Sequence, residues 1–268
     1  MSRHDATADV GLLVIGHGTR DTEGLAEFEQ VVAHAAERYA DQVVERGYLE
    51  LAEPTILQGI ARLVERGVRR IDVVPLLLFA AGHARRDIPA LLAEARGQFS
   101  QVEIVQHDVL GCHPRVVELS ALRYREALTG HEPVAAEETA LVLVGRGSLD
   151  SDATAAMLRF AELRRELTPV RDCWVGFVAM AKPTLAEALQ QAATSDARRI
   201  VVQPHLLFRG QLLADVEQAV ANARLIAPHK HWLIAPRLGV HRWLVETWEN
   251  LGNLTKMRDR ETQSSAGH

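Results

Sequence analysis

At 268 residues, with 47% apolar and 24% charged side chains, the chain has ordinary globular composition and enough length for two domains with cores of their own. A net charge of −5 without any Lys/Arg-rich run argues against a nucleic-acid surface, and no apolar run approaches the roughly 20 residues of a membrane span. Two cysteines, Cys112 and Cys173, lie in different halves and exclude a thiolate zinc site or an iron–sulfur cluster; with no apolar leader in MSRHDATADV they point to a reduced, cytoplasmic protein.

Along the first half, apolar runs alternate with amphipathic segments. A strand is expected over 10–16, a helix over 22–39, a strand over 42–49, and a helix over 54–66 with Pro54 in its first turn and Gly67 after its end. The run IDVVPLLLF makes 69–79 a strand buried on both faces. A helix over 86–99, a strand over 101–106 and a helix over 113–128 follow. Four strand–helix units in succession imply parallel strands with right-handed crossovers, hence an open α/β sheet with helices on both faces.

The polar stretch TGHEPVAAEE (129–138) reads as a linker, after which strands recur near 139–145, 171–178, 198–206 and 230–235. The second half repeats the first. LLVIGHGTRD (12–21) returns 129 positions on as LVLVGRGSLD (141–150), and the same offset carries Tyr48-Leu49-Glu50 onto Phe177-Val178-Ala179 and Pro75 onto Pro204. After a one-residue gap, Leu110-Gly111 and His113 map onto Leu238-Gly239 and His241. The expected architecture is two tandem homologous lobes, 1–131 and 138–251, each an open four-stranded parallel sheet, with a disordered tail at 252–268.

Ligands of open parallel sheets bind beyond the carboxyl ends of the strands. His17 follows the first strand in a Gly-His-Gly turn, Glu50 ends the second, and His83 follows the third. All three vanish in the second copy, as Arg146, Ala179 and an FRGQ loop, although the strands around them persist. The fold therefore does not need them. Two imidazoles and a carboxylate suit an open divalent-metal site or acid–base work near neutral pH, and spacing alone does not choose between the two. Glu53, which becomes Lys182, is the weaker acidic candidate. His113 and His241 survive in both copies and point to a shared helix-start role. His107 flanks the loop after the fourth strand, and His205, which replaces Leu76, is a candidate for the interlobe cleft. His4, His34, His131, His229, His231 and His268 read as solvated. GHGTRDTEG lacks the complete GxGxxG spacing and no P-loop is present, which weakens a nucleotide-dependent reading.

The ordered motifs GHGTRD, YLELAEPT and VVPLLLFAAGHARRDIP closely resemble the class II sirohydrochlorin chelatases of the CbiX/SirB type, and the tandem repeat resembles their long two-domain form. The resemblance implies insertion of a divalent metal (Fe²⁺ or Co²⁺, with Ni²⁺ a third option) into sirohydrochlorin, for siroheme or cobalamin synthesis. It also implies that His17 and His83 handle the metal beside Glu50, with the metal as substrate and no tightly bound organic cofactor. Because sirohydrochlorin carries eight carboxylates, Arg20, Arg85, Arg146 and Arg209, in or beside the strand-end loops, are expected to bind them. With both lobes in one chain, a monomer is expected. The competing reading is a non-catalytic tetrapyrrole or metal carrier that uses the same cleft.

Overall fold

The computed structural model describes residues 9–248, and of residues 83 and 84 the backbone alone. The expected tail at 252–268, with His4 and His268, lies outside the described residues.

The first repeat runs β1 (Val10–Gly16), α1 (Thr22–Arg38), β2 (Val43–Tyr48), α2 (Ile56–Glu65), β3 (Arg70–Pro75), α3 (Ile88–Gln98), β4 (Glu103–Gln106) and α4 (Pro114–Leu128). Its four strands are all parallel, in the order β2-β1-β3-β4. The continuous apolar runs are explained by burial on both faces. Leu12, Val14 and Val74 pack against Phe28 and Val31 of α1 and Leu119 of α4, while Leu13, Ile15 and Val73 pack against Ile60 of α2 and Leu92 of α3.

The second repeat runs β5 (Thr139–Gly145), α5 (Ser151–Glu166), β6 (Asp172–Phe177), α6 (Leu185–Thr194), β7 (Arg199–Pro204), α7 (Gln211–Ile226), β8 (His231–Ile234) and α8 (Arg242–Glu246), with sheet order β6-β5-β7-β8. The register repeats too: Leu12 pairs with Val44 as Leu141 pairs with Cys173. No described helix is long and apolar enough to cross a membrane.

Three expectations are corrected. Helix α2 starts at Ile56, because Thr55 and Gln58 form a reciprocal capping box (Gln58 N to Thr55 Oγ1, 3.3 Å; Thr55 N to Gln58 Oε1, 2.8 Å) that leaves Pro54 outside. Strand β3 ends at Pro75, not Phe79. The last apolar residue of the run serves a different contact: Phe79 leaves the sheet and meets Phe160 and His205 of the second lobe. Ahead of α3, the segment His83–Asp87 forms a single π-helical turn, a form common at functional sites.

Helix α1 packs against α8, and α4 against both α5 and α8, so these four lie between the two sheets. One core cluster joins Phe28, Tyr39 and Leu119 to Phe160, Leu244 and Trp248. A polar seam crosses the same interface. The fully buried Arg164 donates from Nε to Ser120 Oγ (3.0 Å) and from a terminal nitrogen to Thr168 Oγ1, and Gln203 Nε2 donates to the Ser120 carbonyl (2.7 Å). Burial pulls the Arg164 pKa down to about 10.

Candidate active site

The site is set by a backbone crossing. As β1 ends, Leu49 N donates to Gly16 O (3.0 Å) and Glu50 N to His17 O (3.1 Å), which straps the loop after β2 beneath the turn after β1. Gly18 adopts φ +90°, and a Cβ on it would lie 1.8 Å from the Glu50 carbonyl oxygen. Only glycine allows this approach. It brings His17 Nδ1 to 3.6 Å from Glu50 Oε1, with the two side chains 30% and 47% exposed and so within reach of a ligand.

The second lobe makes the same crossing. Val178 N donates to Gly145 O and Ala179 N to Arg146 O, both at 3.0 Å, and Gly147 holds φ +89° with a notional Cβ 1.7 Å from the Ala179 carbonyl oxygen. The backbone is duplicated and the imidazole–carboxylate pair is not. Beside each crossing stands an exposed apolar residue in the left-handed region, Leu51 (φ 64°) and Met180 (φ 60°). The sequence reading missed both, although the apolar residue after each strand-end position was in plain view.

His83 opens the π-helical turn after β3, the neighbour of β1 in the sheet. Among the described side chains, no three His, Cys, Asp or Glu groups converge as a metal cage. Among the described side chains, His17 and Glu50 form an open imidazole–carboxylate pair.

The other candidates sort themselves by partner. His107 Nε2 lies 2.9 Å from Oδ1 of Asp72, a carboxylate buried mid-strand in β3 that Arg70 also contacts at 2.9 Å. Burial alone would raise the Asp72 pKa, but hydrogen bonds from His107 and Arg70 outweigh it and hold the group below the usual carboxylate range. His107 is thus occupied in a structural network, which an aspartate inside IDVV could have signalled. His113 and His241 cap α4 and α8, each accepting at Nδ1 a backbone N–H two residues on (3.2 Å). His205 is a correction: it is 2% exposed, wedged between Phe160 and Phe79 with ring centroids 4.0 and 5.4 Å away, in the interlobe core rather than the cleft. His131, His229 and His231 line a concavity of about 590 Å³ that also includes the start of β8. Glu132, Arg198 and Lys230 share that lining, Glu132 lies 3.8 Å from Arg198, and Arg199 Nε donates to His231 Nδ1 (3.3 Å).

The four arginines divide in pairs. Arg20 and Arg146 are exposed beside the two glycine turns and make no ion pair among the described residues. Arg85 instead reaches Asp152 of the second lobe, and Arg209 reaches Glu23 of the first, both at 2.6 Å. The Arg209 loop is docked further by its own N–H on Glu27 (2.8 Å) and by Gly24, whose notional Cβ would lie 2.4 Å from Arg209 O. The turn after β3 thus meets the first turn of α5, and the loop after β7 meets the start of α1, which sets the carboxyl ends of the two sheets side by side.

A CbiX family model matches residues 11–127 and 140–252, one copy per lobe. The chain is 30% identical to a sirohydrochlorin cobaltochelatase of Priestia megaterium over 86% of this chain and 74% of that one. It is also 30% identical to a sirohydrochlorin ferrochelatase of Bacillus subtilis, over 86% and 85%. SirB from Bacillus subtilis, solved with Fe³⁺, superposes with a TM-score of 0.80 at 27% identity, covering 97% of this chain and 98% of that one. The same two-lobed architecture was solved with cobalt, at a TM-score of 0.75. With one model matched in each lobe and relatives aligned along most of its length, the chain belongs to the CbiX family.

Proposed function

We propose that the protein is a sirohydrochlorin chelatase that inserts Fe²⁺ or Co²⁺ into the macrocycle, releasing two protons, in siroheme or cobalamin synthesis. The observation that carries this reading is the His17–Glu50 pair, held on a crossing that the second lobe builds without either side chain. Similarity to a cobaltochelatase and to a ferrochelatase is equal, at 30%, and the N/O donor set does not rank the two ions strongly, which leaves metal supply to decide.

Two pyrrole N–H bonds break, their two protons leave for the solvent by way of a base, and four metal–nitrogen bonds form, two at the deprotonated nitrogens and two at nitrogens that already carry a free lone pair. A neutral His17 imidazole accepts a pyrrole proton, and the Glu50 carboxylate 3.6 Å away stabilises the imidazolium that results. His83, in the loop of the neighbouring strand, is assigned with them to metal delivery. An open set of ligands releases its ion, as a metal in transit requires. Leu51 and Met180 offer apolar contact to the faces of the ring, and Arg20, Arg85, Arg146 and Arg209 meet its carboxylates. A core shared by the two lobes of one chain supports the monomer as the unit of function.

The test is metal insertion followed by the absorbance change of sirohydrochlorin with Fe²⁺, Co²⁺ or Ni²⁺. We expect His17→Ala, Glu50→Ala and His83→Ala each to lower the enzymatic rate by about 10²–10⁴-fold. Tight binding of sirohydrochlorin without any acceleration in the wild type would overturn the enzyme in favour of a carrier.

A further inference from the structure

Asp152 and Glu23 occupy the same place in the two lobes. Each stands 129 positions from the other and in the first turn of the first helix of its repeat, α5 or α1. Each accepts an arginine from the opposite lobe, and each arginine comes from the loop after that lobe's third strand, Arg85 after β3 and Arg209 after β7. Both contacts are 2.6 Å long. The two lobes are therefore bridged by pseudo-symmetric, reciprocal ion pairs, made by two of the four arginines assigned above to the substrate.

We propose that Asp152 and Glu23 are internal surrogates for the tetrapyrrole's carboxylates, each holding one cleft arginine until a substrate carboxylate takes it. The inference rests on the chelatase reading and names the groups that control access to that same site. All four side chains are between 49% and 67% exposed, and pairs of that kind are weak and readily exchanged. A polyanion entering an acidic protein would meet repulsion from bare carboxylates at the cleft mouth, and the pairing masks both. The exchange is one of side chains alone, because the lobes share a continuous buried core. The two sides differ in strength. Arg209 retains Asp21 at 3.9 Å and a backbone anchored on Glu27 if Glu23 is lost, whereas Arg85 has Asp152 as its one ion-pair partner among the described residues.

The experiment is equilibrium binding of metal-free sirohydrochlorin to the full chain, read by its absorbance, for wild type, Asp152→Asn, Glu23→Gln and the double variant. Asp152→Asn is expected to tighten binding by about two- to fivefold, Glu23→Gln by less, and the double variant by more than either. A merely structural clamp would leave affinity unchanged or weaken it, and either result in both single variants overturns the exchange while the chelatase reading stands. Failure of the wild type to bind sirohydrochlorin removes both.

Discussion

Gly18 and Gly147 make the residue scale experimentally separable. Both hold φ near +90° with a neighbouring carbonyl oxygen where a side chain would begin, so alanine at either costs roughly 1–2 kcal/mol for the left-handed backbone, plus the overlap. Stability should therefore fall alike in Gly18→Ala and Gly147→Ala, measured by urea denaturation. Chelatase activity should not: displacing the Glu50 strap separates Glu50 from His17, whereas the Ala179 strap carries no such pair. Equal activity losses would remove the assignment of chemistry to the first lobe. At this scale the sequence was most informative where it contradicted itself, since a scaffold kept twice with His17 and Glu50 kept once exposes what folding does not require. It was silent on the interlobe partners of Arg85 and Arg209, which lie 67 and 186 positions away and have no local signature.

Among the elements, strands and helices were legible from period and punctuation, and the overlong β3 has a physical cause. Residues 76–79 read as strand because apolarity records burial, not what does the burying; Leu77 packs on the first lobe's own core, and Phe79 meets the other lobe. Helix α1 carries a comparable interlobe imprint. Gly24 lies in its first turn, where alanine is intrinsically better by roughly 1 kcal/mol, and the equivalent residue in α5 is Ala153. Yet a Cβ at Gly24 would lie 2.4 Å from Arg209 O, backbone that Glu27 holds in place. The overlap should outweigh the propensity, so Gly24→Ala is expected to lower Tm, at about 2–4 °C per kcal/mol for a chain of this size. A higher Tm would mean that the Arg209 loop is not docked on α1.

For the whole molecule, the sandwiching of α1, α4, α5 and α8 between two sheets makes the interlobe core the common foundation of both lobes, and that core encloses a histidine. His205 is buried between Phe79 and Phe160, near the cationic Arg164, and neither ring nitrogen has a hydrogen-bond partner among the described residues. Burial, reinforced by Arg164, pushes its pKa from 6.5 to about 3. The unfolded chain protonates this histidine as pH falls through 6.5 while the folded protein resists until about 3, so its destabilising effect is absent above 6.5 and grows as pH drops, by up to about 1.4 kcal/mol per unit. Leucine is the residue that the first lobe carries at the equivalent position, Leu76. His205→Leu should accordingly be more stable at every pH, because two unpartnered polar atoms leave the core, and its advantage should widen by about 2 kcal/mol between pH 8 and pH 5. Urea denaturation at the two pH values measures it. An advantage that does not change with pH would mean that His205 is solvated or paired in the native fold, and the two lobes would then be less tightly fused than their shared core implies.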